Sequence, residues 1–229
     1  MSKVKLNLIA AACENMGIGV KGTLPWRLKY IHKLQSDTTV YAFRKEMAYF
    51  TTMTTKVTDE NKVNAVIMGR RTWECIPPKY RPLPNRVNIV LTHHTEKLQP
   101  EVPEGVVVVP GIEEAISHIE GRDDIENAWV IGGSSVYRAA MDHPNCGKIY
   151  LTEIQKSFDC DTFFPDINRQ EFKLVNEEEV PEDRQTEENI DFFLWRRREL
   201  NSAASVEAAC VRRIGGSCGL HGERARSRR

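Results

Sequence analysis

Residues 129–137, Trp-Val-Ile-Gly-Gly-Ser-Ser-Val-Tyr, constrain the fold more than any other stretch. Apolar β-formers run straight into Gly132 and Gly133, and a helix-compatible run begins at once. The pattern predicts a strand, a tight turn and a helix start, the joint of a β-α unit. Two glycines without Cβ atoms let a ligand press against the backbone. The first amides of the helix lack intrahelical acceptors, and the helix dipole favours negative charge there. Such a joint either seats a pyrophosphate or is a packed turn, and a Gly-Gly pair alone does not choose.

The rest of the chain repeats this rhythm. Apolar runs at 6–12, 63–68, 86–91, 106–109, 128–131, 148–152, 172–176 and 190–196 are strand candidates. Helical patterns fall at 44–52, 71–75, 112–119 and 134–141. Continuous rather than alternating apolar runs predict strands covered on both faces, as in parallel sheets. The fold class is α/β, a sheet built from β-α-β units in one domain. The chain of 229 residues is long enough to bury a sizeable core.

Composition narrows the setting. Lys plus Arg equals Asp plus Glu at 32 each, so net charge predicts no partner. The six cysteines, Cys13, Cys75, Cys146, Cys160, Cys210 and Cys218, show neither C-x-x-C nor histidine-partnered spacing. Free thiols in a reducing compartment are expected, with no metal site. Residues 3–13 superficially resemble a short lipoprotein signal, but Asn7 interrupts the apolar run, and a buried first strand fits better. No run approaches membrane-spanning length, so a cytoplasmic protein without a membrane partner is expected. Residues 200–229 are rich in Ala, Ser, Gly and Arg and end Arg-Ala-Arg-Ser-Arg-Arg, a composition that predicts a disordered basic tail. No nucleic-acid partner is expected, contact of that basic end with the protein's own messenger RNA being left open.

Three further stretches carry chemistry. At 66–73 a second strand meets Gly69 and a helix start, with Arg70, Arg71 and Thr72 as added donors suited to phosphate. Two such joints in one small domain suit a ligand with several phosphates. Residues 17–26 place Gly17, Gly19 and Gly22 in a loop that ends in Leu24-Pro25-Trp26, either a lid or a surface loop anchored by a packed tryptophan. Glu46 shares one helical face with Tyr49, Phe50 and Met53. It is either a charge at a helix start or a buried acceptor facing a ligand. Arg86, at the start of a strand, is either a solvated charge or a carboxylate clamp.

Taken together, Asn15-Met16-Gly17-Ile18-Gly19, Leu24-Pro25-Trp26, 66–73, Arg81-Pro82-Leu83, Arg86-Val87-Asn88, 129–137 and 161–165 resemble the animal-type dihydrofolate reductase family across residues 3–199. The resemblance implies a three-layer fold, a central mainly parallel sheet flanked by helices, over a domain of residues 1–199. It implies reduction of 7,8-dihydrofolate to 5,6,7,8-tetrahydrofolate with NADPH, by hydride transfer to pterin C6 and protonation at N5. Carried over, Glu46 orients the pterin, Trp26 holds a water near it, and Thr152 supports the carboxylate. Ile9, Ala10, Phe50 and Ile131 line the pterin, Leu83 packs on the benzoyl group, and Arg86 clamps the glutamate α-carboxylate. Ala11 and the loop residues Gly17, Ile18, Gly19, Val20, Lys21, Gly22 and Thr23 lie along the cofactor. Arg70, Arg71 and Thr72 hold phosphates, while Gly132, Gly133, Ser134, Ser135, Val136 and Tyr137 cradle the pyrophosphate. Thr92, His93 and His94 lie where the family grips the adenosine 2′-phosphate. There the family usually carries arginines, one after the hydroxyl residue and one where this chain has Pro110-Gly111. Antifolate-type molecules are expected ligands, and a monofunctional monomer is the expected state.

One departure stands out. The family sets its tryptophan and acid a few positions apart, whereas Trp26 and Glu46 are twenty apart. Residues 29–43 read as an inserted loop that projects outward from an intact fold. Two rivals to the reductase remain: an enzyme of related scaffold acting on a deaminated pyrimidine in flavin synthesis, and a catalytically weakened isoform that binds folate, cofactor or RNA.

Overall fold

The computed structural model describes residues 4–26, 38–175 and 190–198. Residues 29–37 and 200–229, expected to be an outward loop and a disordered tail, lie outside them. The chain divides into a compact unit, Met1–Arg197, and a second unit, Arg198–Arg229. Every described strand and helix belongs to the first. In chain order these are β1 (Leu6–Cys13), β2 (Gly17–Gly19), α1 (Thr38–Thr55), β3 (Val63–Gly69), α2 (Arg70–Cys75), β4 (Arg86–Leu91) and α3 (Thr95–Leu98). They continue with β5 (Val107–Val109), α4 (Ile112–Glu120), β6 (Ile125–Gly132), α5 (Ser134–Asp142), β7 (Cys146–Ile154), β8 (Thr162–Phe163), β9 (Phe172–Leu174) and β10 (Ile190–Arg197).

Eight of these strands form one sheet in the order β5-β4-β3-β6-β1-β7-β10-β9. The six neighbours from β5 to β7 are parallel, and β10 runs antiparallel between β7 and β9. The run 6–13 is therefore a central strand, paired with β6 on one side and β7 on the other. Side chains alternate across a strand, so a strand apolar at every position feeds two cores. Leu6, Leu8, Ala65, Ile67, Ala128 and Val130 enter one core, beneath α4 and α5. Ile9, Val66, Met68 and Trp129 enter the other, where Tyr49, Phe50 and Met53 of α1 pack.

Every strand read from the sequence is present; β4 has the expected bounds and the others shift at one or both ends. β6 starts at Ile125 rather than at 128, because Glu126 and Asn127 break the apolar run. Glu126 spends its carboxylate on the Thr58 and Asp59 amides. The helix expected at 44–52 runs Thr38–Thr55, so residues 38–43 are helical rather than part of an outward loop. Their Thr-Thr-Val-Tyr-Ala-Phe sequence is a weak helix former, which hid the start. Extending an existing helix gains a hydrogen bond for each residue fixed, so modest propensity suffices.

The far end of α1 is tied to the sheet by one side chain. Asn64 in β3 is fully buried. It donates to the carbonyls of Thr54 (3.1 Å) and Lys56 (2.8 Å) and accepts from the Asn127 amide (3.1 Å). Asn64→Leu keeps the branched outline at somewhat greater bulk but strands these groups, and should lower unfolding free energy by about 2–4 kcal/mol. Denaturant unfolding measures this as a lower midpoint with an unchanged slope.

Candidate active site

In a parallel sheet with both faces covered, the open position is beyond the carboxyl ends of the strands. A cleft of about 2000 Å³ lies there. Ala10 and Ala11 of β1, Gly69 of β3, Leu91 and Thr92 at the end of β4, and Ile131 and Gly132 of β6 line it. Between β3 and β6 the register slips: Ile67 faces Val130, but Met68 faces Gly132. Ile131 is the extra residue, and this bulge turns it toward the cleft.

Helix α1 forms one wall. Glu46 is 4% exposed, lines the cleft, and shares the inward face with half-buried Tyr49, Phe50 and Met53. Because α1 begins at Thr38, Glu46 stands more than two turns inside the helix. The dipole acts mainly within the first turn, so the helix-start reading of this acid fails. What remains is a buried carboxylate lining a cleft, the kind of environment that marks a candidate functional site. Its charge reaches Tyr137, whose hydroxyl donates to the Ile9 carbonyl at 2.8 Å. Burial and the Glu46 charge push that phenol above its ordinary value, so it stays a neutral donor. Trp26 is 3% exposed: it packs edge-on against Phe158 beside Cys13 and Ile154, as an anchoring tryptophan does, and it also lines the cleft.

Arg86 is half-buried, which removes the solvated reading. Its guanidinium donates to Thr54 Oγ1 at 2.7 Å and to the Pro84 carbonyl at 3.0 Å, and it lies 6.0 Å from the Phe50 ring centroid. Burial lowers its pKa. Among the described residues no carboxylate pairs with it, so it presents an unneutralised cation to the cleft. Leu83, also on the cleft, is held by Asn88, whose buried amide accepts from the Leu83 N–H and donates to its carbonyl, both at 2.9 Å.

The two strand-glycine-helix joints are packed together. A Cβ on Gly69 would meet Val136 Cγ2 at 3.1 Å, and Cβ atoms on Gly132 or Gly133 would lie about 3.5 Å from Thr72 Oγ1. Gly132 has φ 119°, a glycine conformation, and the Gly132–Gly133 peptide is cis. Helix α5 starts at N-cap Gly133 with no side chain capping its amides. Arg70 pairs with Glu74 at 2.6 Å, with both side chains nearly half exposed. An exposed pair of that kind contributes about 1 kcal/mol at most, so an incoming phosphate can displace it.

At the end of the cleft beside β4, Thr92 is buried and accepts from the His94 amide at 3.2 Å. His93 and His94 are exposed on the cleft. The neighbouring helix α4 begins at N-cap Gly111 with Glu113 and Glu114 in its first turn. This end therefore carries imidazoles, no guanidinium from 93 or 111, and two carboxylates nearby.

The glycine loop is built, not slack. Gly17–Gly19 pairs with Thr162–Phe163, and Val20 and Thr23 bridge across Lys21 (φ 49°) and Gly22 (φ 72°), a tight hairpin turn. Asp161 accepts from the Lys21 amide at 2.7 Å, and its own amide donates to the Gly19 carbonyl. Of the residues named from the sequence, Gly17, Val20, Lys21 and Thr152 do not line the cleft; the others do. Thr152 is buried in β7 opposite Ala11. Sequence reasoning missed Asn64, Asn88 and the anchoring role of Asp161. The Lys-Gly dipeptide between β-branched Val20 and Thr23 was the available hairpin signal.

The Lys21 and Thr162 hydrogen bonds lower the Asp161 carboxyl pKa. A lowered pKa means the anchor is complete above the ordinary carboxylate range and is lost as pH falls through the lowered value. Asp161→Ala should mimic that loss at neutral pH, seen as faster amide hydrogen exchange across residues 17–23; unchanged exchange would show that the strand pairing alone holds the hairpin.

Comparisons with known proteins agree on one family. The dihydrofolate reductase family model matches residues 5–197. A dihydrofolate reductase of Heliothis virescens is 67% identical over 193 residues, covering 84% of this chain and 96% of that protein. One from Aedes albopictus is 43% identical over 82% of this chain and 94% of its own length. The solved Schistosoma mansoni dihydrofolate reductase is 31% identical with a TM-score of 0.66, covering 86% of this chain and all of that one.

Proposed function

The chain belongs to the dihydrofolate reductase family, an oxidoreductase family, and from that premise we propose that its cleft holds a pterin beside NADPH and yields 5,6,7,8-tetrahydrofolate from 7,8-dihydrofolate. One observation carries the reading: a buried carboxylate, and a half-buried guanidinium with no carboxylate partner among the described residues, face the same cleft. That polarity suits a ligand with an amidine-like donor edge at one end and a carboxylate at the other.

Glu46 accepts hydrogen bonds from the pterin 2-amino and N3 positions and fixes ring orientation. Ile9, Ala10 and Phe50 pack on the ring, and Ile131 turns its carbonyl to it. Leu83 rests on the benzoyl group and Arg86 grips the α-carboxylate as a fork. Trp26 holds the water that relays a proton toward N5, and Thr152 supports the acid from behind. The two adjoining helix starts, with Arg70, Arg71 and Thr72, fit a pyrophosphate-bearing cofactor, and the 17–23 hairpin covers it. NADPH, when bound, supplies the hydride that reaches pterin C6. The protein's share is to orient two rings face to face and exclude water. The adenosine end tempers selectivity: with histidines in place of arginines, NADPH is preferred to NADH by a narrower margin. No described helix is long and apolar enough to cross a membrane. The reading extends to a cytoplasmic monomer, open to antifolates and supplying one-carbon metabolism.

The direct test is NADPH oxidation with dihydrofolate, with and without an antifolate. Absence of dihydrofolate-dependent oxidation by folded protein refutes the reading, and a deaminated pyrimidine substrate then tests the flavin-synthesis rival. Glu46→Gln should reduce turnover by about two orders of magnitude or more while cofactor affinity holds. Arg86→Leu should raise KM for dihydrofolate about ten- to hundredfold with kcat little changed. Removing residues 29–37, which spares Thr38–Thr55, should not change turnover; a large gain on removal would favour the weakened-isoform reading.

A further inference from the structure

Two thiols meet beneath the glycine hairpin. Cys13 ends β1 and is fully buried, while Cys160 is half-buried beside β8. Their sulfurs are 3.6 Å apart. Both sulfurs also touch the base of the hairpin. The Cys13 thiol donates to Asn15 Oδ1 at 2.8 Å, and the same oxygen accepts from the Gly17 amide at 3.2 Å. A Cβ on Gly17 would lie 2.3 Å from Cys160 Sγ, so that sulfur packs directly on the Gly17 α-carbon. The residue after Cys160 is Asp161, which anchors Lys21 and Gly19.

A disulfide bond is about 2.05 Å long, so the sulfurs need to close by roughly 1.5 Å. We propose that Cys13 and Cys160 form a redox modification site, closing to an intramolecular disulfide that ties the base of the glycine hairpin to the segment carrying Asp161. The oxidant is a low-molecular-weight disulfide. The more exposed Cys160 reacts first: its thiolate attacks one sulfur of the reagent, the reagent's S–S bond breaks, and one thiolate leaves. The Cys13 thiolate then attacks Cys160 Sγ in the mixed disulfide and expels the second thiolate. Two protein thiols are oxidised, one reagent disulfide is reduced to two thiols, and the two protons go to solvent or to those thiolates. Burial and the neighbouring Cys13 push the Cys160 thiol up, so the exchange is slow near neutrality and accelerates with rising pH.

The chemical consequence is local. Oxidation removes the Cys13 donor from Asn15 and draws the Cys160 sulfur off Gly17. The hairpin base becomes covalently joined to the segment it otherwise meets through hydrogen bonds, and hinge motion there is restrained. This last step rests on the reductase reading of the cleft; the cross-link itself does not.

The test treats the full chain with oxidised glutathione at about pH 8.5, near the ordinary thiol pKa, followed by peptide mass analysis. The expected result is a Cys13–Cys160 cross-linked peptide lacking two hydrogens and released by dithiothreitol, with slower amide exchange at residues 17–23. NADPH-dependent turnover should fall about threefold or more, recover on reduction, and resist the treatment in Cys160→Ser and Cys13→Ser. If no cross-linked peptide forms, or if it forms while exchange at 17–23 is unchanged, the proposal is overturned. A reduced chain that shows no turnover at all refutes the reductase reading instead, and the cross-link and exchange data still decide this proposal.

Discussion

The constraint on which the rest depends is the double coverage of a parallel sheet. Once α1 shields one face and α4 and α5 the other, neither face can host a ligand. The carboxyl ends of β1, β3, β4 and β6 are left, and the chain spends its glycines and polar side chains there. Two cores hold the floor rigid, so a carboxylate on α1 and a guanidinium on β4 keep their separation without a ligand to set it. The bulge that delivers Ile131 is also a by-product of sheet register rather than a separate device.

The parts of this arrangement that were legible in the sequence are those governed by local chemistry. Continuous apolar runs told of buried strands because a strand with two dry faces has no polar positions to interrupt it. The joints at Gly69 and Gly132–Gly133 could be read because strand, glycine and helix follow one another within a few residues. The acid at Glu46 could be singled out because its neighbours at helical spacing are apolar.

What stayed hidden depends on partners far away in the chain. Asn64 and Asn88 look like ordinary polar residues in strands; only the fold shows that one closes the end of α1 and the other fixes the backbone of Leu83. Asp161 acts on a residue 140 positions earlier, and no local pattern records that. Strands β2 and β8 are too short and too rich in glycine and threonine to show a period. The start of α1 was masked by residues of weak helix propensity, which shifted the reading of Glu46 from helix interior to helix start. Burial was equally invisible for Arg86: the sequence offers a strand-end charge, and Phe50 and Thr54 turn it into a held, partly dehydrated cation.

The anchoring of α1 at its last turn has a consequence for how this chain tolerates change. From Glu46 to Thr54 the helix rises about 12 Å, and that stretch is registered against the sheet from its carboxyl end. An addition ahead of Glu46 leaves these contacts of the last turn in place, much as a ruler clamped at one end can be extended at the other. A gene that acquired extra codons ahead of Glu46 keeps the address of its acid.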